Sequence, residues 1–309
     1  MQIGLLYSRI RKDEKLLLAE LRDRGHDVTK VDVRKEAFNV GEAPEIFDGV
    51  DLVIDRCLAT SRSLYVTKFL ESYGIPVVNA PETADICADK VQTSLALAGA
   101  DVPTPETKVA FTVESAMEAI EEFGYPCVLK PVVGSWGRLM AKIDSESAAE
   151  AVLEHKATLG HYEHKVFYVQ EFVEKPGRDV RVLAVDGEPI AGMARSSDHW
   201  LTNAAKGANT ESFEIDDEAA DLVKKASDAV GGGLLGVDLM ETGRRDDGSV
   251  AGRSSGDGGE PRDADGYTVH EVNHTVEFKA LNEASDVDVP AAVVDWLESQ
   301  ADAKLEVTA

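Results

Sequence analysis

A glycine-rich stretch follows a lysine near the middle of the chain. Gly134-Ser135-Trp136-Gly137-Arg138 lies between two predicted strands, and Lys130 ends the first of them. Glycines let backbone N–H groups approach phosphate oxygens, because no Cβ stands in the way. Lys130 and Arg138 add the positive charge that phosphates attract. The pattern is neither a GxxxxGK[ST] loop nor a dinucleotide-binding fingerprint, and by itself it is also typical of a plain hairpin turn.

Three oxygen-bearing side chains follow apolar segments in the last third of the chain. Asp238 comes directly after Leu234-Leu235-Gly236-Val237, and Glu271 and Asn273 end a second apolar segment. Residues two apart in a strand face the same way, so Glu271 and Asn273 point together, and strand pairing can bring Asp238 beside them. An oxygen-only set on rigid strands suits a Mg²⁺ ion that bridges substrate phosphates. Such groups are often a solvated strand face, but here the flanking residues are apolar, where buried polar groups are costly.

Two further groups of residues could bind anions or a base. Gln170-Glu171-Phe172-Val173 ends a predicted strand, and an exposed strand edge there could offer backbone groups to an adenine ring. Arginine forks bind carboxylates and phosphates in a bidentate way, although a single arginine is often only a surface ion pair. The basic and amide residues that follow the strand are Arg178, Arg181, Arg195, Asn203 and Lys206.

The elements that must position these residues alternate along the chain. Strands are predicted at 2–7, 27–33, 50–54 and 76–79, with helices at 13–24 and 61–73 between them. This alternation predicts a parallel sheet with helices on its faces. A helical connection at 82–103 leads to strands at 107–111, 127–131 and 139–143 and helices at 112–123 and 145–155. Then come strands at 167–172, 181–185, 189–195, 234–241 and 267–273, helices at 217–230 and 290–300, and a flexible acidic, glycine-rich insert at 244–266.

The charge of the chain limits its partners and surroundings. The 309 residues carry a net charge of −25, with 57 acidic and 32 basic residues. That balance argues against nucleic acid, which requires a basic footprint. The acidity is spread along the chain, which favours a salt-rich, halophilic cytosol, where a Debye length of about 3 Å screens self-repulsion. Apolar runs are too short to span a bilayer, and residues 1–7 resemble a buried strand more than a leader, so we expect a cytoplasmic protein without a membrane partner.

In order along the chain, Lys90, Lys130, the 134–138 loop, residues 170–173, Asp238 and Glu271-Val272-Asn273 resemble the ATP-grasp superfamily. More closely, the chain is similar to the ligases that attach an amino acid to a small amino-group carrier protein in lysine and arginine biosynthesis. Residues 133–139, 170–181 and 270–279 carry that resemblance, and residues 56–62 resemble the substrate-side loop of the same group. Ribosomal-protein glutamate ligases are similar relatives with a weaker match.

The resemblance implies an α/β, three-domain ATP-grasp fold. Its parts would be an N-terminal parallel α/β domain at 1–85, a central domain at 86–170 and a C-terminal domain at 171–309, with ATP between the last two. Lys130, Arg138 and Arg195 are implied to be catalytic. Mg²⁺ would be held by Asp238, Glu271 and Asn273. The nucleotide would be contacted by Lys90, Lys130, Gly134, Ser135, Trp136, Gly137, Arg138, Gln170, Glu171, Phe172, Val173, Arg181 and Asn203, and the substrate by Arg195, Ala204, His274 and Thr275.

The implied reaction joins an amino acid to the C-terminal glutamate of a small acidic carrier through an acyl-phosphate, and relatives imply a homo-oligomer. The amino acid is glutamate or α-aminoadipate. The pair His274-Thr275 resembles the aminoadipate type and lacks the Gly-Phe pair of the glutamate type, whereas a salt-rich cytosol favours arginine synthesis and therefore glutamate. We favour glutamate slightly. The alternatives are a ligase that adds several glutamates to a protein terminus and an ATP-binding regulator without turnover.

Overall fold

The computed structural model of the protein describes residues 1–58, 60–134, 139–158, 165–197, 199–200, 202, 209–242 and 266–308. Three sheets carry the architecture. The first is fully parallel and contains β1 (Gln2–Tyr7), β2 (Asp27–Asp32), β3 (Leu52–Asp55) and β4 (Val77–Val78), in the spatial order β2-β1-β3-β4. Helices α1 (Lys12–Asp23) and α2 (Thr60–Ser72) belong to it, and a short 3₁₀ turn spans Glu45–Phe47.

Two helices connect the first sheet to the second. They are α3 (Pro81–Ala88) and α4 (Lys90–Gly99), where a single helical stretch was predicted. The helical stretch is interrupted at Asp89. The side chain of Asp89 accepts hydrogen bonds from the backbone N–H groups of Val91 and Gln92 and so caps α4. This cap places Lys90 at the first position of α4.

The second sheet is antiparallel. It contains β5 (Thr107–Ala110), β6 (Cys127–Lys130), β7 (Ala141–Ile143) and β8 (Phe167–Glu171), in the order β5-β8-β6-β7, with α5 (Val113–Phe123) and α6 (Glu146–Thr158) packed on it. Strand β8 is therefore central. Gln170 pairs with Thr107 on one side and with Val128 on the other. The prediction that residues 170–173 form an exposed strand edge is therefore wrong for Gln170 and Glu171.

The third sheet is also antiparallel and has five strands. These are β9 (Arg178–Val185), β10 (Glu188–Ser196), β11 (Asn209–Phe213), β12 (Leu234–Thr242) and β13 (Gly266–Asn273), in the order β11-β10-β9-β12-β13. Three helices accompany them: α7 (Asp217–Val230), α8 (Lys279–Ala284) and α9 (Val289–Thr308). Strand β11 and helix α8 were not predicted. The strand predicted at 234–241 is β12, which extends one residue further to Thr242, and Asp238 lies in its middle, where it pairs with β13.

One apolar core joins the first and third sheets. It contains Ile3 and Leu5 of β1, Met193 of β10 and Leu297 of α9. Arg24, just past α1, strengthens the same contact by pairing with Asp295 and Glu298 of α9. The last helix of the chain therefore packs on the first domain, and this holds the ends of β1 and β3 close to the third sheet.

The predicted α/β class is confirmed by these three sheets and their helices, and the first sheet is parallel as expected. Apart from Gly266, which begins β13, the predicted insert at 244–266 lies outside the described residues. No helix in the described part of the chain is long and apolar enough to cross a membrane.

Candidate functional site

A cavity of about 450 Å³ is lined by the second and third sheets and by loops of the first domain. Arg178, one of the candidate anion-binding residues, binds Glu241 and does not line the cavity. Every residue that the resemblance assigns to the site and that the structure describes does line it. These residues are Lys90, Lys130, Gly134, Gln170, Glu171, Phe172, Val173, Arg181, Arg195, Asp238, Glu271, Asn273, His274 and Thr275. The other predicted residues lie outside the described part of the chain: Ser135, Trp136, Gly137, Arg138, Asn203 and Ala204.

Lys130 is a buried ammonium group at the end of β6. Its side chain is 2% exposed, and Nζ donates to Gln170 Oε1 (2.5 Å) and lies 3.1 Å from His270 Nε2. Gln170 is itself held, because its amide nitrogen donates to Thr107 Oγ1 (2.8 Å) and Tyr168 Oη (3.1 Å). Burial lowers the pKa of Lys130 to about 7. A lysine held this way is positioned before any ligand arrives.

Lys90 joins the base of the glycine loop to the third sheet. Its backbone N–H donates to Val132 O (3.0 Å), and its Nζ donates to Gly134 O (2.9 Å). The same ammonium lies 3.1 Å from Glu271 Oε1 on β13. Lys90 therefore stands between the start of the glycine loop and one of the predicted metal ligands.

The predicted metal ligands share one face of the third sheet. Asp238 pairs directly with Glu271, and Asn273 pairs with Gly236, so the two strands bring all three side chains to the cavity. The set offers two carboxylates and one amide oxygen, which are the hard oxygen donors that Mg²⁺ prefers. The buried amide nitrogen of Asn273 has no hydrogen-bond partner within the described residues. By the chemistry of its donors, this set fits Mg²⁺.

Two arginines neutralise Asp238. Arg181 donates to both carboxylate oxygens, with distances of 2.7 and 2.7 Å, and Arg195 Nη2 lies 3.3 Å from Asp238 Oδ1. Burial alone would raise the pKa of Asp238, but the arginines outweigh it and hold that pKa well below its usual range. The carboxylate therefore stays ionised at neutral pH, and it still has lone pairs for a cation.

A β-bulge brings His270 into the cavity, a residue that was not predicted. The register shifts between Asp238 and Leu239, which pair with Glu271 and Val269, so His270 is the extra residue of β13. Strict alternation would have placed His270 on the opposite face from Glu271. Burial, and then the charge of Lys130, lowers the pKa of His270 well below its usual value, so the ring is neutral beside the ammonium.

A second polar cluster lies beyond Arg195. Asp179 accepts a hydrogen bond from Arg195 Nε (2.6 Å) and another from the Thr202 hydroxyl. Lys175 Nζ donates to Thr202 Oγ1 (2.7 Å) and lies 3.4 Å from Asp179 Oδ2. Lys175, Asp179 and Thr202 were not predicted as site residues, although all three line the cavity. The sequence did contain a signal for this cluster, because Asp179 lies among the basic residues of the 175–181 segment.

Two family models together cover most of the chain. Residues 3–86 match the model described as the LysX preATP-grasp domain. Residues 87–247 match the model described as the RimK-like ATP-grasp domain, which is more than half of the chain. The chain belongs to the RimK-like ATP-grasp family. Members of this family use ATP, and the predicted enzyme class, an ATP-dependent carboxylate–amine ligase, is confirmed.

Curated relatives in this family span almost the whole chain. The alpha-aminoadipate–LysW ligase LysX of Saccharolobus solfataricus is 34% identical over 87% of this chain and 90% of that protein. The glutamate–LysW ligase ArgX of Sulfolobus acidocaldarius is 28% identical over 97% of this chain and 99% of that protein. A solved structure, a RimK domain ATP-grasp protein from Sphaerobacter thermophilus, aligns with a TM-score of 0.73 at 27% identity, covering 96% and 99% of the two chains. The predicted resemblance to the carrier-protein ligases is thereby confirmed.

Replacing Arg181 by methionine is expected to lower the free energy of unfolding by about 3 kcal/mol, because breaking a buried ion pair leaves Asp238 with only the more distant Arg195. Urea denaturation in molar KCl measures this loss. The matched control is Lys225→Met, which removes an exposed partner of Asp221 on α7 and should change the stability little. An unfolding free energy in Arg181→Met equal to that of the control would contradict the assignment of a buried pair.

Proposed function

We propose that the protein joins the α-amino group of glutamate or α-aminoadipate to the C-terminal glutamate of a small acidic amino-group carrier protein of the LysW type. The reaction would belong to arginine or lysine biosynthesis. The relatives named above support the carrier, since both of their names specify LysW, and one acts with each amino acid. The observation that carries the proposal is a single cavity that is lined by Lys90 and Lys130 and also by the pair His274-Thr275.

The lysines provide the charge for a triphosphate. Lys130 is aimed into the cavity by Gln170 and His270, and Lys90 lies at the base of the glycine loop. Both would contact phosphate oxygens, over which negative charge spreads as the γ-phosphoryl group moves to the carrier's carboxylate. Mg²⁺ bound by Asp238, Glu271 and Asn273 would neutralise further phosphate charge. The contribution of Arg138 rests on the resemblance alone.

The second half of the reaction depends on position. The α-amine attacks the acyl-phosphate carbon, a C–N bond forms, and the C–O bond to phosphate breaks, so no covalent bond to the protein is required. Arg195 would hold the carboxylate of the amino acid. Its Nε is committed to Asp179, but a guanidinium has five N–H donors and several remain. Because an acyl-phosphate hydrolyses readily, the cavity must also exclude water while the reaction takes place.

Amino-acid-dependent ADP release tests the proposal. Purified protein in molar KCl, with Mg²⁺, ATP and a carrier that ends in glutamate, is supplied with glutamate or α-aminoadipate, and the carrier is then weighed by mass spectrometry. We expect ADP only when carrier and amino acid are both present, and one added residue per carrier. One methylene is worth roughly 1–3 kcal/mol in a fitted pocket, so the two amino acids should differ at least about tenfold in kcat/KM.

Other outcomes of that experiment would replace the proposal. A ladder of added glutamates would indicate the ligase that tails a protein terminus. No ADP with either amino acid, from folded protein that binds ATP, would indicate the regulator. The cytoplasmic location, the salt-rich habitat and the homo-oligomer stay predictions.

A further inference from the structure

The segment at 274–279, here the recognition segment, connects β13 to α8 and has two faces. Val276 and Phe278 are fully buried in the core shared by the first and third sheets. Thr275, Glu277 and Lys279 alternate with them and line the cavity. Because the two faces belong to one short stretch of backbone, any displacement of the segment in the core moves the side chains that line the cavity.

Side chains of the first domain hold the backbone of this segment. Three of them reach it, one from α1 and two from the loops that follow β3 and β4, and each is almost fully buried. Asn79 Nδ2 donates to His274 O (2.8 Å), Arg56 Nη2 donates to Val276 O (2.8 Å), and Asp13 Oδ1 accepts from the N–H groups of Phe278 (2.7 Å) and Lys279 (2.9 Å).

Asn79 connects the segment to the strand that carries Asp238. Its amide nitrogen also donates to Leu234 O (2.8 Å), and its oxygen accepts from Leu234 N–H (2.6 Å), so it pairs with the start of β12 as a strand would. The approach requires glycine at 233, since a Cβ there would lie 2.3 Å from Asn79 Oδ1. One side chain therefore sets the distance between β12 and His274.

Arg56 holds the middle of the segment. Its guanidinium is 1% exposed, lies 3.4 Å from Glu14 Oε1 on α1, and stacks 5.4 Å from the centre of the Phe278 ring. A buried guanidinium is costly unless its partners are fixed, so this contact is specific in geometry. On the other side of the segment, Val276 packs on Gly236, where a Cβ would lie 2.6 Å from a Val276 methyl group.

We propose that Asn79, Arg56 and Asp13 are positioning residues, through which the first domain sets the place of the recognition segment and hence the binding of the amino-acid substrate. The proposal rests on the proposed function, in which His274 and Thr275 contact that substrate. It follows that replacing these three residues should weaken the binding of the amino acid more than the binding of ATP. The lysines that would contact ATP are held by other residues, Gln170 and His270 for Lys130 and Gly134 and Glu271 for Lys90.

The variants Asp13→Ala and Asp13→Asn test this most sharply. Alanine removes the oxygen that accepts both hydrogen bonds, whereas asparagine keeps an oxygen at the same place. We expect the KM for the amino acid to rise about tenfold in Asp13→Ala, with the KM for ATP within about twofold of wild type, and Asp13→Asn to restore most of the loss. Asn79→Ala should show the same selective rise. The matched control is Arg24→Ala, which loosens the contact of α1 with α9 without touching the segment.

A second measurement does not depend on turnover. Hydrogen exchange of the peptide that covers residues 274–279 should be faster in Asp13→Ala than in wild type or Asp13→Asn, with no change in the peptide that covers β6. Equal increases in both KM values, the same KM change in Arg24→Ala, or unchanged exchange in the segment would overturn the inference. Absence of turnover in wild type would instead overturn the proposed function, and exchange would still decide the positioning role.

Discussion

Replacing Lys130 by methionine is expected to lower kcat/KM for ATP by about 10²–10³-fold while the protein stays folded. Methionine keeps the apolar stem that fills the wall of the cavity, and it removes the ammonium that Gln170 and His270 aim at the site. The charge should matter most in the transition state, when the phosphoryl oxygens carry the most negative charge. Steady-state kinetics at saturating amino acid and carrier measure the effect.

The pH dependence of ATP binding gives a second readout of the same residue. Since burial lowers the pKa of Lys130 to about 7, the free protein loses this positive charge as the pH rises through 7. A bound phosphate favours the charged form, so ATP binding at pH 8 should take up a proton and the affinity should fall between pH 7 and pH 8.5. Calorimetry in two buffers with different ionisation enthalpies measures the uptake, and Lys130→Met should lack it.

The same shift predicts a sign for stability. Between pH 7 and the ordinary lysine value of 10.5, the unfolded chain binds more protons at this position than the folded protein does. The contribution of Lys130 to stability therefore rises with pH across that window, and the slope should disappear in Lys130→Met. Lys108→Met is the matched control, since Lys108 lies on the same sheet but pairs with Glu122 outside the cavity.

The kinetic prediction for Lys130→Met has a clear contrary outcome. A kcat/KM for ATP within about threefold of wild type would show that this lysine does not contact the phosphates.

Glu271→Gln is expected to lower kcat by about 10²-fold and to raise the Mg²⁺ concentration needed for half-maximal rate. The amide keeps the size of the side chain but loses the charge that faces Lys90 and would hold the cation. The fold should persist, because this side chain is 30% exposed and pairs with one lysine, unlike Asp238. A titration of rate against Mg²⁺ measures the shift.

Glu241→Gln provides the control for Glu271→Gln. Glu241 lies on β12 and binds Arg178 through both oxygens, but it does not line the cavity. Its replacement should leave the Mg²⁺ dependence unchanged. If Glu271→Gln also left that dependence unchanged, Glu271 would not be a metal ligand. Glu271 and Asp238 would then serve to position Lys90 and Arg181.

The grouping of the acidic set was predictable because it follows from local rules. Glu271 and Asn273 are two residues apart in an apolar strand, which places them on one face. Antiparallel pairing then brings Asp238 directly opposite Glu271. Lys130 and the glycine loop were found in the same way, from the end of a strand, whereas Lys90 was named only by the family resemblance. The alternation within each strand depends only on neighbours in the chain, and the sequence contains that information directly.

The bulge at His270 could not be predicted by the same rules. One extra residue in β13 shifts the alternation and turns a histidine from the far face into the cavity, beside Lys130. The position of the bulge depends on how β12 and β13 pair. The alternation of side chains along a single strand does not reveal that pairing. The exposed edge predicted at Gln170 was wrong for a related reason, since only the order of strands in space shows that β8 is central.

The sequence by itself determined the family, the α/β class and the kinds of groups in the site: lysines, arginines, a glycine loop and oxygen donors in a set order. The tertiary structure decided which side chains hold those groups in place. Asp13, Arg56 and Asn79 bind a segment that lies 195 to 266 positions away in the chain. These contacts form because the first and third sheets share one core, and no local pattern of charge or hydrophobicity records them.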